Sequence, residues 1–195
     1  MKTFIAIAAI AAAGLATPAF AQDSAPFSGP RVSAEAGWGR VAGNGTAGDG
    51  FVYGATLGYD VASGNVRIGP EVGIADSTQD TCKPFTAAGA NARECGRADR
   101  DLYAGVRVGY TVTPSVLVYG KVGYANTRFT DHYQDVSAGA APTPRFDDDH
   151  SGYRLGAGAE FALTRQFYLS GEYRYSQYQD HLHQNQILGG VGFRF

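Results

Sequence analysis

The ten residues Gln186-Ile-Leu-Gly-Gly-Val-Gly-Phe-Arg-Phe195 decide the fold. Ile187, Gly189, Val191, Phe193 and Phe195 take every second position, and Gln186, Leu188, Gly190, Gly192 and Arg194 fill the positions between. Successive side chains of a strand point to opposite faces, so a period of two writes two surfaces onto one segment. One surface here is oily; the other is rich in glycine and carries charge. A soluble sandwich turns its oil inward and its charge outward. Behind an export signal the same repeated pattern reads the other way, with oil against lipid and charge in a lumen.

Such a signal opens the chain. Lys2 supplies a positive start, Phe4 to Leu15 is an uncharged apolar run, and Ala19-Phe20-Ala21 is a cleavage site preceded by Pro18. Residues 1–21 therefore read as a secretory signal peptide, mature from Gln22. The apolar run is shorter than the ~20 residues that a membrane-crossing helix needs, and no later stretch reaches that length. No cysteine marks the cleavage site for lipid attachment. Residues 22–29 read as a short, extended Ser/Pro leader, and residues 30–195 as one domain with no composition break.

Seven further segments alternate like the last: Arg31 to Arg40, Phe51 to Val61, Val66 to Ala75, Asp101 to Val112, Val116 to Phe129, Tyr153 to Leu163 and Phe167 to Tyr178. In Asp101 to Val112, for example, Leu102, Ala104, Val106, Val108 and Tyr110 oppose Tyr103, Gly105, Arg107 and Gly109. Pro70 sits inside its segment, where the lost donor predicts a bulge. The connections alternate in length. Tight turns are expected at Ala62 to Asn65, Thr113 to Ser115 and Thr164 to Gln166. Long polar loops are expected at Asp76 to Asp99 and Thr130 to Ser151, with a Gly/Asn/Asp-rich loop before Phe51 and a shorter one at Gln179 to Asn185. Short turns on one side and long loops on the other predict an all-β, eight-stranded antiparallel transmembrane barrel, an up-and-down meander with its short turns in the periplasm.

The segments Tyr103-Ala-Gly-Val-Arg-Val-Gly-Tyr110, Tyr119-Gly-Lys-Val-Gly-Tyr124, Leu169-Ser-Gly-Glu-Tyr-Arg-Tyr175 and Leu188-Gly-Gly-Val-Gly-Phe-Arg-Phe195 carry a resemblance. The chain resembles the small eight-stranded outer-membrane β-barrel family, the OmpA/OmpX-like and opacity-type porin-family proteins of Gram-negative bacteria. The resemblance covers nearly all of the chain after the signal. It implies the cell outer membrane as location. It also implies that Phe195, with Phe193 and Tyr173 or Tyr175 nearby, forms the signal read by the barrel-assembly machinery. It is weak on activity, because the family hosts several.

Parity assigns Glu35, Glu71, Glu160, Glu172, Arg67, Arg107, Lys121, Arg154, Arg174 and Arg194 to the lumen. Bare charges there would be costly, so a plug of ion pairs is expected. The interior of an eight-stranded barrel is just wide enough for side chains to fill, and the inward glycines leave room for long Arg and Glu side chains. The alternative is a narrow, gated ion or small-solute path along the same charges. On the lipid side, Tyr59, Tyr110 and Phe167 are expected in a periplasmic aromatic belt, and Trp38, Tyr53, Tyr124, Tyr153 and Tyr175 in an outer one.

Cys82 and Cys95, the two cysteines of the chain, fall in one exported loop and predict a disulfide. Closing a loop of about 15 residues is worth roughly 3 kcal/mol in the chain-entropy model. His181 and His183 would share a face on an extended strand, as a weak metal pair would, but read as a polar outer loop. Asp147-Asp148-Asp149-His150 reads as a solvated charge run with access to cations among lipopolysaccharide phosphates. Loss of Lys2 with the signal, one of 16 basic residues, leaves 15 against 18 acidic ones, a formal charge of −3. That balance argues against a nucleic-acid partner. No phosphate loop, dinucleotide fingerprint or zinc-helix motif occurs, so no cofactor is expected.

Lipid A deacylases and palmitoyltransferases are barrel enzymes, and a hydrolase needs a nucleophile, a base and an orienting group within reach. Ser176 with His181 or His183 and Glu172 is the nearest set. Ser176 has lumen parity, away from lipid, and the deacylase His-x-Ser arrangement is missing, so no enzyme is expected. The expected protein is a monomeric envelope-integrity or surface-interaction barrel in contact with lipopolysaccharide, with a possible external partner at its loops.

Overall fold

The computed structural model describes residues 26–43, 46–78, 80–87, 90–135, 146–179 and 182–195. Nine strand segments follow in order: β1 (Gly29–Gly43), β2 (Thr46–Ser63), β3 (Val66–Ser77), β4 (Asp80–Ala87), β5 (Ala90–Thr113), β6 (Val116–Asp135), β7 (Phe146–Ala162), β8 (Phe167–Tyr178) and β9 (His183–Arg194). They lie side by side as β3-β2-β1-β9-β8-β7-β6-β5-β4, and pairing of β3 with β5 closes the sheet on itself. Segment β4 continues the course of β3. Both run antiparallel to β5, with Val66 to Ala75 against Tyr110 to Asp101 and Asp80 to Ala87 against Arg97 to Ala90. The wall is therefore a closed eight-stranded antiparallel barrel in meander order.

Period two gives this barrel an inverted core. Trp38, Leu57, Val72, Ile187 and Val191 are each more than half exposed, whereas Arg107, Arg154 and Gln186 are among its largest fully buried side chains. A wall in lipid has no need to hide oil, and its interior must instead satisfy polar groups that lipid cannot. Buried apolar clusters occur at the two ends of the lumen. Phe27, Leu117 and Tyr119 meet at the end with the short turns, and Val52, Ala75 and Leu188 at the other.

The strands outrun their apolar alternation. Asp76 to Asp99 was expected as a loop, yet β3 reaches Ser77 and β4 pairs with the start of β5 as a hairpin. Likewise β6 runs to Asp135 and β7 begins at Phe146, inside the expected Thr130 to Ser151 loop. The ladder continues while the period-two signal of the side chains fades. A register irregularity between Ala98 and Arg100 lies where β5 leaves the barrel proper.

Pro70 makes no bulge. The register of β2 with β3 is the same on either side of it, from Gly58 opposite Glu71 to Val61 opposite Ile68, and the β3–β5 ladder runs straight through. The missing donor locally opens the pairing with β2 and leaves the strand otherwise intact. Neighbouring Gly69 is needed there: a Cβ would lie 1.6 Å from the Tyr59 carbonyl oxygen. Ahead of β1, Phe27 is buried rather than part of an extended leader. The segment read as a signal peptide lies outside the described residues.

Candidate functional site

The lumen is built from the polar faces of all the staves. Ten of its charged side chains, from Arg107 to Glu35, form one unbroken chain of alternating sign. Arg107 Nη1 meets Glu160 Oε1 at 2.7 Å. Glu160 Oε2 accepts from Arg194 Nη2 at 2.8 Å, and Arg194 Nη1 reaches Asp60 at 2.9 Å. The same Asp60 oxygen accepts from Arg31 Nε at 3.0 Å, and Arg31 Nη2 donates to Glu71 at 2.6 Å. Lys121 Nζ bridges Glu71 and Glu172 at 2.8 and 2.7 Å. Arg174 then joins Glu172 to Glu35. A separate pair lies beside this chain: Arg154 Nη2 donates to Asp101 Oδ2 at 2.5 Å.

Aromatic and hydroxyl groups fill the gaps. The Arg107 guanidinium stacks 3.8 Å from the centre of the Tyr119 ring, whose hydroxyl donates to Glu172 at 2.7 Å. Arg154 also donates to Ser176 Oγ at 2.7 Å and to the Tyr178 hydroxyl at 3.0 Å. Ser33 and Thr56 share a hydrogen bond of 2.6 Å. The inward glycines stand across the ladder from the bulkiest groups. Gly58 faces Arg31, Gly156 faces Lys121 and Gly192 faces Tyr168. A Cβ on Gly192 would lie 2.0 Å from the Tyr168 ring, and one on Gly58 would lie 2.6 Å from Arg31 Nη2.

All ten charged residues assigned to the lumen by parity lie on its wall, and three more join them: Arg31, Asp60 and Asp101. Period alone could have found these, since each sits an even number of residues from a lumen neighbour on its own strand. With them, seven bases face six acids, a smaller positive excess than the ten residues alone suggest. The remaining base is Arg67. Among the described residues no carboxylate bonds it; it donates to the carbonyls of Pro26, Gly64 and Val66.

The lipid face carries the aromatic residues in two bands. Tyr59, Tyr110 and Phe167 are about half exposed near the short turns, and Phe167 stacks edge-on with Phe193, which stacks in turn on Phe195. Trp38, Tyr53, Tyr124, Tyr153 and Tyr175 lie toward the other end. There the Tyr53 hydroxyl donates to Asp76 at 3.2 Å and the Tyr153 hydroxyl to Gln177 at 2.6 Å. Ser176 is fully buried and bonded to Arg154, and its ladder partner is Gln184 rather than a histidine. His183 pairs along the backbone with Ala42 and Gln177; His181 lies outside the described residues. The backbone register sets Cys82 opposite Cys95 and Cys95 opposite His132.

A sequence model of the outer membrane protein beta-barrel domain matches residues 7–195. The chain belongs to that family. It is 32% identical over 136 residues to the 31 kDa outer-membrane immunogenic protein of Brucella melitensis, covering 67% of this chain and 55% of that protein. The chain thus spans about half the length of the curated relatives it matches. Among solved structures, the barrel superposes on Neisserial surface protein A with a TM-score of 0.58 at 16% identity, covering 86% of this chain and 98% of the other. It superposes on Ail, the attachment invasion locus protein of Yersinia pestis, with a TM-score of 0.54 at 17% identity, covering 86% and 99%. At such identities these two establish the fold. Family and relative together place the protein in the outer membrane.

Proposed function

We propose that this barrel is a sealed, non-conducting wall element that supports envelope integrity and displays its outer hairpins. The observation that carries this reading is the unbroken ion-pair chain from Arg107 to Glu35, which spans the lumen with every carboxylate held by a cation. Two voids beside it measure about 10 Å³ each, room for about one water apiece. A hydrated ion needs a wider, continuous path.

The reading extends to the surroundings. Residues 1–21 are removed on export, and the barrel-assembly machinery reads the end at Phe193 and Phe195. The protein is a monomer. Its belts and rims meet outer-membrane lipid and lipopolysaccharide, and any external partner binds the hairpins formed by β4 with β5 and β6 with β7. A Cys82–Cys95 disulfide staples the first of these, consistent with the register that sets the two opposite each other. No catalytic role is proposed, because the hydroxyl of Ser176 is engaged by Arg154 inside the wall.

Planar-bilayer recording of the purified protein tests this. The expected trace is flat at ±100 mV, roughly, apart from rare brief events. A steady, reproducible conductance would replace the sealed reading with the narrow-channel one.

A further inference from the structure

Ahead of β1 the chain doubles back into the barrel. Phe27 has φ of 61° and Gly29 has φ of 98°, two left-handed residues flanking Ser28. A bulky residue rarely adopts that conformation and keeps it only where the surroundings over-determine it. They do so here. Phe27 is 6% exposed and seats against Leu117 and Tyr119, with Ala162 packed beside them. Arg67 holds the residue before it, donating from Nε to the Pro26 carbonyl at 2.7 Å while its Nη1 ties the Gly64 turn. Gly29 is the bend: a Cβ there would lie 3.0 Å from the Phe195 carbonyl oxygen.

The position of this segment gives it a role. Leu117, Ala162 and Gly64 all lie at the short-turn, periplasmic end. On the lumen side the Arg194 guanidinium lies 5.6 Å from the Phe27 ring centre, and Arg194 is the link between Asp60 and Glu160. On the other side is an open vestibule of about 670 Å³, bordered by Phe27 itself, Ser28, Ser115, Ala162, Gln166 and Arg194. Phe27 and Arg194 therefore stand together between that vestibule and the carboxylates of Asp60 and Glu160, which are buried and do not border it.

We propose that Pro26 to Ser28 form a stopper for the periplasmic mouth, with Phe27 as its seal and Arg67 as its latch. Seated beside Arg194, it keeps water from the Asp60 and Glu160 carboxylates that Arg194 holds, where a low local dielectric strengthens each bond. The vestibule offers space into which the ring can swing about Gly29, so the mouth can open without any strand leaving the wall. This goes beyond the sealed-lumen reading, since it concerns access to the mouth and not conduction through the barrel.

Thiol labelling of protein extracted from outer membranes tests it. In a chain with Cys82→Ser and Cys95→Ser, a reporter at Leu117→Cys lies under Phe27, fully buried and away from the vestibule, and a reporter at Ser115→Cys borders the vestibule. A charged methanethiosulfonate should modify the first at least tenfold more slowly than the second. Adding Phe27→Ser, or deleting residues 26–28, should remove that difference, whereas Phe27→Leu should keep it. Heat-modifiable gel mobility shows that each variant is folded. Equal labelling of the two reporters with the natural segment in place, which requires no destabilised variant, overturns the proposal. So does continued protection of Leu117→Cys in a folded barrel lacking residues 26–28.

Discussion

Glu71 and Val72 are neighbours in the chain and belong to different solvents. Glu71 is 3% exposed and is held by Arg31 and Lys121, which come from β1 and β6. Val72 is 51% exposed, on the lipid face. The two faces are stabilised in different ways. The lumen depends on directional bonds between particular partners, so identity and reach matter. The lipid face depends on transfer of apolar area from water, so residue type matters and a particular partner does not. The same strand must satisfy both rules at alternate positions.

The largest effect should come from breaking the lumen rule. Glu71→Ala leaves two buried cations, Arg31 and Lys121, without that carboxylate. Removing one partner of a buried pair costs about 3–5 kcal/mol, and denaturant titration in lipid vesicles should show a loss of that size. A loss below about 1 kcal/mol would mean that the ion-pair chain contributes little to the wall. Breaking the lipid rule comes next. Arginine at Ala104 or Ala157, both outward on β5 and β7, should cost about 2–4 kcal/mol near the bilayer midplane. Near-neutral folding energies for both would contradict the assignment of faces.

A third variant separates the wall from what it displays. Mass spectrometry of unreduced protein should find Cys82 linked to Cys95. Replacing both should speed proteolysis of the β4–β5 hairpin, where roughly 3 kcal/mol of loop-closure stabilisation is at stake, while leaving the barrel's denaturation midpoint unchanged. Alkylation of both thiols without reduction would argue against the bridge. The smallest effect belongs to the exposed counterpart of Glu71. Arg40 and Asp49 lie 3.8 Å apart with side chains 62% and 50% exposed, and such pairs contribute about 0–1 kcal/mol. Arg40→Ala should shift the midpoint by an amount near the error of the titration. Equal losses for Glu71→Ala and Arg40→Ala would erase the distinction between the two environments.

How far each region could be read from sequence follows from the same asymmetry. Where lipid faces one side and the packed lumen the other, as in Leu102 to Tyr110, every second residue reports its face, and strand order follows from the alternation of turns. The paired backbone in β4, in β5 up to Ala98 and at the outer ends of β6 and β7 carries no such signal, because its residues do not alternate apolar with polar and so write no period of two. Arg31 and Asp60 carry lumen parity in the sequence, but only closure of the barrel brings them into the ion-pair chain. Phe27 carried no signal at all: an isolated aromatic before a strand looks like any leader residue until Leu117 and Tyr119 are brought beneath it.

By itself the sequence determined which side chains share a face, because strand geometry ties face to parity with no reference to the rest of the chain. It also determined on which side of the wall the turns are short. Only the tertiary structure decided who meets whom. Closure of β3 onto β5 brings Glu71 and Lys121 together across 50 residues, and Arg174 reaches Glu35 across 139. Register decided which glycine lies opposite which large side chain, and a slip of one residue would have turned each strand inside out. These pairings depend on barrel circumference and strand stagger, which emerge only when the sheet closes.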